Sequence, residues 1–313
     1  MAMSHFSATV KRYTESMSAQ TKGVIASVLC SLLFALIPAY VQFQPPIPSS
    51  NVTGGESHWL AVQRVLWSTA LFLLLLLTSN RIHLLLDALS KWRMWPKYCV
   101  SALLIAPQYW LFVWAPANGE TLSLALGYFT MPIVMVLVGR FIYRETLSSF
   151  QKLACYFALA GTLYAYALSD GISWVVLVVA LGYPVYFMHR KTIPLATDVG
   201  LTVDHIFMMP LALVGLFYLY PPDYMLTLPV SDYMYYIGLG IVSVTPMLLY
   251  LYAYSKLPVS VFGLLGYVEP TFIFIVGLLI GDSISSQEIP TYLFIIFALI
   301  ALVLDGLKRF LAS

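Results

Sequence analysis

A glutamate and a proline lie near the centre of an otherwise apolar stretch, FGLLGYVEPTFIFIVGLLIG, which covers residues 262–281. An ionised carboxylate is most costly in the middle of a bilayer, so Glu269 should face the protein interior or water. Pro270 removes a backbone donor, which frees the carbonyl of Gly266 and loosens the helix there. The functional interpretation is a proton acceptor or an anchor for a cationic group. The alternative is a structural carboxylate that pairs with a neighbouring helix.

Arg64 is the one basic residue that is predicted to lie inside the hydrocarbon, away from the ends of its stretch. Its guanidinium keeps its charge and offers planar, bidentate recognition of a carboxylate. We therefore expect Arg64 to bind an anionic group of a substrate or to pair with Glu269. The alternative is that its long side chain extends to the outer membrane surface.

A run of polar and aromatic residues, QYWLFVW, covers residues 108–114 and is predicted to be helical. Apolar walls with few polar groups are typical of small-molecule sites. Aromatic stripes in membrane helices also serve as packing surfaces or interfacial belts, which is the alternative. The residues predicted to line a pocket are Gln108, Trp110, Trp114, Trp67, Tyr128, Tyr250 and Tyr267.

The composition indicates that a membrane surrounds these residues. Of the 313 residues, 60% are hydrophobic and 10% are charged, whereas about a quarter of the residues of a soluble domain are charged. The sequence therefore predicts an all-α integral membrane protein. Its net charge of +2 is too small to indicate a nucleic-acid partner.

Ten apolar stretches have the length that a helix needs to cross about 30 Å of hydrocarbon. Residues 1–21 are polar and contain no apolar core ahead of a cleavage site, so we expect no cleaved signal peptide. The ten stretches cover residues 22–43, 59–79, 95–115, 121–141, 150–168, 171–188, 201–220, 233–254, 259–280 and 289–307.

The basic residues predict the orientation, because cytoplasmic loops are enriched in Lys and Arg. With the N-terminus inside, the inner segments carry fifteen of the sixteen basic residues and the outer loops carry none. Both termini are therefore predicted to be cytoplasmic. The inner residues are Lys11, Arg12, Lys22, Arg81, Lys91, Arg93, Lys97, Arg140, Arg144, Lys152, Arg190, Lys191, Lys256, Lys308 and Arg309.

The second half of the sequence repeats the first. Residues 106–132 align with residues 245–270, mostly at a constant offset of 139. The first stretches of the two halves also agree, since each places a proline late, at Pro38 or Pro184. The other matched pairs are Pro107 with Pro246, Gly127 with Gly266, Tyr128 with Tyr267 and, after one deletion, Pro132 with Pro270.

Each half holds five stretches, and an odd number makes the second copy enter the membrane in the opposite direction. We therefore predict ten transmembrane helices as two inverted five-helix repeats, residues 22–168 and 171–307. A polar cytoplasmic segment, 1–21, precedes them and a cytoplasmic tail, 308–313, follows. Such repeats enclose a shared mid-membrane site that is formed by broken helices. The predicted helix breaks are Pro38, Pro107, Pro132, Pro184, Pro246 and Pro270.

His205 lies opposite Arg64 under this repeat. With Asp204 it opens the stretch 201–220, near the predicted cytoplasmic side. One interpretation is a counterpart of Arg64 at an inner gate. A solvated helix end explains the two residues equally well.

The sequence resembles the EamA domain of the drug/metabolite transporter superfamily. The motifs TKGVIASVLCSLLFALIPAY, QRVLWSTALF, YWLFVWAPAN, LALGYFTMPIVMVLVGRFIYRETLSSFQ and LGYVEPTFIFIVGLLIGD are similar to its RarD branch of bacterial inner-membrane proteins. The resemblance implies a bundle with both termini inside, a substrate in a central cavity, alternating access, and usually export of metabolites such as amino acids. This sequence departs from the family at Ser123, Met131 and Glu269, where a Glu, an Asn and a small or neutral residue are common.

Several function classes are excluded or disfavoured by the sequence. It has no phosphate-binding glycine-rich loop with a Walker lysine, so this chain alone cannot drive transport with ATP. No catalytic or metal-ligand spacing of Ser, His, Cys, Asp or Glu is present, so we expect no enzyme, metal or cofactor.

The leading prediction is a secondary transporter that exports small polar or amphipathic metabolites, with protons as a candidate coupling ion. The alternatives are an importer or exchanger and, in another class, a non-transporting scaffold whose axis is filled by Leu and Phe. The expected partners are a small-molecule substrate and membrane lipids, and the chain is expected to be a monomer or a homodimer.

Overall fold

The computed structural model describes residues 2–41, 43–46, 55–169, 171, 173–219, 224–279 and 287–311. In these ranges the regular structure is helical, without a strand. A 3-10 segment, Trp92–Met94, and a π-helical segment, Val138–Ile142, accompany the α-helices. The α-helices are α1 (Ala2–Val41), α2 (Gly55–Thr78), α3 (Ile82–Ser90), α4 (Trp95–Ala117), α5 (Thr121–Leu137), α6 (Ser149–Ala167), α7 (Trp174–Arg190), α8 (Thr197–Leu219), α9 (Tyr224–Thr227), α10 (Val230–Lys256), α11 (Val259–Leu265), α12 (Val268–Leu279) and α13 (Ile289–Leu311).

The prediction of an all-α, multi-pass membrane protein is confirmed. In the described part of the chain, seven helical segments are long and apolar enough to cross a membrane. The ten predicted stretches all fall on helices, the ninth of them on both α11 and α12, but the count of ten spans and their inverted arrangement remain predictions. The seven segments are Ala19–Val41, Gly55–Thr78, Trp92–Ala115, Ser123–Ile142, Thr197–Tyr218, Val230–Lys256 and Ile289–Gly306, and two shorter apolar helices are Trp174–Arg190 and Val259–Phe272.

Most of the prolines that were predicted to break helices lie inside continuous ones. Helices α5, α7 and α10 contain Pro132, Pro184 and Pro246, respectively. Helix α4 runs through Pro107, and α1 runs through Pro38, whose side chain lies outside the described part. The prediction of breaks at these positions is wrong. Membrane bundles tolerate such prolines because neighbouring helices and local adjustments satisfy the freed backbone groups.

The ninth predicted stretch is broken, but one turn before its proline. Helix α11 ends at Leu265 and α12 begins at Val268, so Gly266 and Tyr267 form the interruption. Pro270 then lies in the first turn of α12, where its missing N–H would have had no intrahelical acceptor. It starts a helix and does not break one.

The helices around the predicted repeat axis pack in pairs. Helix α1 packs against α10 and α12, while α5 packs against α7 and α11. Helix α2 lies between α8 and α10, and α4 lies against α7 and α8. These helices form the main hydrophobic core, while α6 and α13 pack on each other at one side.

Asp305 joins α13 to α6. It is 6% exposed. Its carboxylate accepts hydrogen bonds from the hydroxyl of Ser148 and, at 3.0 Å, from Nε2 of Gln151. The same two residues form a capping box at the start of α6.

A Gly127→Ala substitution should destabilise the contact between α5 and α7. A Cβ added to Gly127 would lie 2.7 Å from Cβ of Val179, and overpacking of this kind costs about 1–3 kcal/mol of unfolding free energy. Thermal unfolding of the purified protein in detergent measures the effect. Gly306→Ala is the matched control, because nothing lies within 4 Å of its added Cβ. An unchanged melting temperature for Gly127→Ala would contradict this close approach.

Candidate functional site

Side chains of α1, α2, α4, α5, α7, α10 and α12 enclose a small central cavity. Its volume, about 20 Å³ for the centres of water-sized molecules, is room for about one water. The cavity is therefore occluded in this conformation. The lining residues are Phe34, Arg64, Gln108, Tyr109, Phe112, Tyr128, Tyr183, Met247, Tyr250 and Glu269.

Arg64 is buried in the wall of this cavity and is 4% exposed. Its Nε donates to the hydroxyl of Ser243 at 3.2 Å, and its Nη1 donates to the carbonyl of Tyr109 at 3.0 Å. Its guanidinium carbon lies 4.9 Å and 5.2 Å from the ring centres of Tyr109 and Phe112. The alternative that Arg64 extends to the membrane surface is wrong. A guanidinium has five N–H donors, so these two bonds leave donors for a ligand.

Glu269 lies in the first turn of α12, directly after the interruption of the ninth stretch. It is 9% exposed and lines the same cavity as Arg64. Among the described residues its carboxylate has no hydrogen-bond or ion-pair partner, so the predicted pairing with Arg64 is absent in this conformation. The N-terminal end of α12 supplies a partial positive charge that favours an anion.

Gln108 lines the cavity and carries a buried acceptor without a partner in the described part of the chain. Its Nε2 donates to the carbonyl of Val178 at 2.8 Å, while its Oε1 is buried without a partner in the described part of the chain. Gly182 makes this arrangement possible, because a Cβ there would lie 2.1 Å from Nε2 of Gln108. A buried, unpaired amide oxygen costs free energy that a donor on a ligand would recover.

Tyrosine rings form much of the remaining wall. The rings of Tyr183 and Tyr250 meet edge to face at 6.2 Å, and Phe34 meets Tyr250 in the same way at 5.8 Å. Tyr128 and Tyr250 were predicted pocket residues, but Tyr183 was not. The sequence carried a signal for it, since Gly-Tyr occurs in LGYF, LGYP and LGYV, and Tyr183 is the tyrosine of the second motif.

Three predicted pocket tryptophans lie outside the central cavity. Trp67 donates from Nε1 to Oε1 of Gln63 at 3.0 Å. Trp110 and Trp114 pack at 4.9 Å, and both rings lie near Trp174. This cluster joins the end of α4 to the start of α7, at the predicted outer surface, and is typical of an interfacial aromatic belt.

Tyr267 also lies outside the cavity. Its hydroxyl donates to the carbonyl of Phe129 at 2.8 Å, which fixes the interrupted segment against α5. The geometry thus assigns it a structural contact, although it matches Tyr128 in the repeat.

Asp204 and His205 are fully buried, so the interpretation as a solvated helix end is wrong. Asp204 accepts a hydrogen bond from the hydroxyl of Tyr186 at 2.8 Å and lies 3.9 Å from Nε of Arg190. His205 does not line the central cavity. Its ring lies against Tyr109 at 5.1 Å, behind the cavity wall.

Comparison with models of known protein families gave no match. The chain is 34% identical to the chloramphenicol-sensitive protein RarD of Pseudomonas aeruginosa, over 87% of this chain and 90% of the relative. It belongs to the RarD family of membrane transporters. It is also 30% identical to an uncharacterized transporter of Haemophilus influenzae, over 92% and 95% of the two chains. Protein RarD of Escherichia coli is 25% identical, over 91% and 95%.

One solved crystal structure superposes with a TM-score of 0.60 at 18% identity, covering 95% of this chain and 99% of the other. At that identity the likeness concerns the fold alone. The RarD relatives confirm the predicted family and indicate that the chain is a multi-pass transporter of a small-molecule substrate. The roles of the cavity residues of this RarD-family protein remain predictions.

Two buried carboxylates should respond oppositely to neutralisation. Glu269→Gln removes a charge without a described partner, so the free energy of unfolding should stay unchanged or rise by about 1 kcal/mol. Asp204→Asn breaks a buried pair with Arg190 and should lower the free energy of unfolding by about 3–5 kcal/mol. Thermal unfolding of the two variants in the same detergent provides the measurement. A larger loss for Glu269→Gln than for Asp204→Asn would show that Glu269 has a structural partner.

Proposed function

We propose that this protein is a secondary transporter that exports small polar or amphipathic metabolites, such as amino acids, through the central cavity. The observation that carries the proposal is that one guanidinium and one carboxylate, Arg64 and Glu269, line the same occluded cavity without pairing. Charges buried in a membrane protein typically mark substrate or ion pathways. A scaffold would have its axis filled by Leu and Phe, which is not the composition of this lining.

The two charges fit a zwitterionic solute. A carboxylate on the solute can take the remaining donors of Arg64, and an ammonium group can approach Glu269 and Oε1 of Gln108. The ring faces of Tyr183 and Tyr250 can accept a cation or an apolar side chain. A zwitterion neutralises both buried charges at once, whereas a singly charged solute leaves one of them unpaired.

Alternating access is supported by the way the helix contacts exchange under the predicted repeat. The contact of α1 with α10 has its counterpart in that of α7 with α4, and the contact of α5 with α7 has its counterpart in that of α12 with α1. Gln108 and Met247 are related by the offset of 139, and both line the cavity. Inverted repeats allow two halves to exchange shapes around one fixed site.

A contact at the predicted cytoplasmic end joins the two halves of the predicted repeat. The carboxylate of Glu145 accepts hydrogen bonds from the backbone N–H groups of Val259 and Ser260 at 2.7 Å and 2.8 Å. Gly139 permits the approach, because a Cβ there would lie 2.2 Å from the hydroxyl of Ser260. Glu145 thereby joins the segment after α5 to the first turn of α11, and we infer that this contact breaks in the inward-open state.

The remaining parts of the proposal come from the sequence and from the relatives. The excess of basic residues on one side supports cytoplasmic termini, and the bacterial relatives support the inner membrane. The absence of a nucleotide-binding motif leaves a solute or ion gradient as the energy source, with protons as a candidate. The name of the Pseudomonas relative makes chloramphenicol a second solute to test.

Glu269→Gln and Arg64→Lys should each reduce transport at least about tenfold, because the first removes a charged contact with the solute and the second removes the planar, bidentate contact that a guanidinium makes with a carboxylate. Proteoliposomes loaded with amino acids, other metabolites and chloramphenicol, followed by mass spectrometry of the released solutes, measure the flux. Asp87→Asn is the matched control, since Asp87 lies in an exposed pair with Lys91.

Wild-type flux in both variants, with their fold retained, would remove these residues from the mechanism. The same vesicles with an imposed pH gradient test proton coupling. A flux that does not respond to the gradient would make Glu269 a ligand and exclude it as a proton carrier.

Glu145→Ala should favour the inward-open state. It removes two hydrogen bonds to a charged group, each of which contributes about 1.5–3 kcal/mol, so the population of that state should rise at least about tenfold. The measurement is labelling of a Ser260→Cys variant by a membrane-impermeant maleimide, after replacement of Cys30, Cys99 and Cys155. Asp87→Ala serves as the control, and equal labelling in the two backgrounds would disprove the role of the contact.

A further inference from the structure

A second cavity lies between α2, α4 and α8, with a volume of about 400 Å³. This volume falls within the range of small-molecule sites, about 300–1,000 Å³, whereas the central cavity has room for about one water. Small and apolar side chains form most of its wall. The lining residues are His58, Ala61, Val62, Val65, Ala106, Tyr109, Trp110, Met208, Leu211, Ala212, Gly215 and Tyr218.

The second cavity opens towards the bilayer. Leu211 and Tyr218 line it and are 63% and 76% exposed, and Val214, between them on α8, is 67% exposed. Helices α2 and α8 are both long and apolar enough to span the membrane. Their exposed apolar side chains therefore contact lipid, and a molecule dissolved in the bilayer can reach this cavity sideways.

Tyr109 lies between the two cavities, because it lines both of them. It is 5% exposed, and its backbone carbonyl holds Arg64 in the central cavity. Rotation of this one ring would join the lateral cavity to the guanidinium behind it. This continuity with the proposed transport site distinguishes the lateral cavity from a groove that only annular lipid fills.

The predicted outer end of the lateral cavity carries a polar group. Nε1 of Trp110 donates to Nδ1 of His58 at 2.8 Å. Since Nδ1 accepts this bond, a neutral imidazole carries its proton on Nε2. That N–H group has no acceptor among the described residues, so His58 can bind a carboxylate or another acceptor at the edge of the apolar wall.

We propose that the lateral cavity binds amphipathic carboxylic acids that partition into the bilayer, and that Tyr109 is the gate through which they pass to the central site. The apolar body lies among the alanine and valine side chains of α2 and α8, and the acidic head group lies at His58. Passage towards Arg64 rests on the proposed transport function, but binding in the lateral cavity does not.

Binding is tested by photolabelling of the purified full-length protein in lipid nanodiscs. The probe is a medium-chain carboxylic acid that carries a diazirine at its apolar end, and the adducts are mapped by mass spectrometry. We expect saturable labelling of peptides from α2 and α8 around Val62 and Ala212. Ala212→Phe fills the cavity and should reduce this labelling about tenfold, whereas Val214→Phe, two residues along the same helix at a position that is 67% exposed, should not.

A second probe, a phosphatidylethanolamine with the same diazirine in its acyl chain, tests whether the cavity binds a free carboxylic acid or a membrane phospholipid. Labelling by the phospholipid alone, or equal labelling by the acid in Ala212→Phe and Val214→Phe, would overturn the proposal. These outcomes need no transport, so they are distinct from a failure of the transport function, which would appear as absent flux in wild-type proteoliposomes.

The gate is tested by comparing Tyr109→Ala with Tyr109→Phe in the same experiment. Removal of the ring should extend labelling by the acid to the peptide that contains Met247 in the central cavity, and the phenylalanine variant, which keeps the ring, should not. A Tyr109→Ala variant that folds, judged by its thermal unfolding, and still confines the label to α2, α4 and α8 would exclude Tyr109 as the gate.

Discussion

The cost of placing charge in hydrocarbon is the constraint on which this structure depends. Arg64 is retained at depth because Ser243, a backbone carbonyl and two aromatic rings replace its water shell. Glu269 has no such set of partners in the described residues, and it lies where a half-helix begins. Two opposite charges line one occluded cavity without pairing, so a bound solute can supply the ion-pair partners that they lack. Most of the surrounding packing serves to keep them in these positions.

Three other carboxylates of the described chain, of which Asp204 and Asp305 are buried and Glu145 is partly buried, have the partners that a structural acid needs. Asp204 has Arg190 and Tyr186 beside it, Asp305 is bonded to the start of α6, and Glu145 binds two backbone N–H groups. Asp204 joins the consecutive helices α7 and α8, whereas Asp305 and Glu145 bond to segments that are distant in the sequence. Among the described residues Glu269 has no such partner, and that contrast within one molecule supports its functional assignment more strongly than its depth alone.

The two cavities differ in polarity and size, and the proposed function gives them different roles. The central one is polar, occluded and smaller than any metabolite, so a solute can occupy it only after the helices around it move. The lateral one is apolar, open to lipid and already large enough for a small molecule. Tyr109 lines both cavities, and its carbonyl accepts a hydrogen bond from Arg64, so the proposed gate residue also helps to position the charge in the central cavity.

The sequence alone determined the all-α membrane class and the approximate positions of the helices, and it indicated Arg64 and Glu269 as candidate site residues, because the cost of charge in lipid and the length of a span follow from composition. It could not determine which side chains meet across helices. The sequence predicted Trp110 as a pocket residue, whereas its neighbour Tyr109 lines the central cavity. Successive residues on a helix point about 100° apart, and only packing decides which of them faces the axis. The tertiary contacts also decided where the helix breaks near Pro270. A proline loosens a helix wherever it lies, and the neighbouring helices determine whether that helix continues.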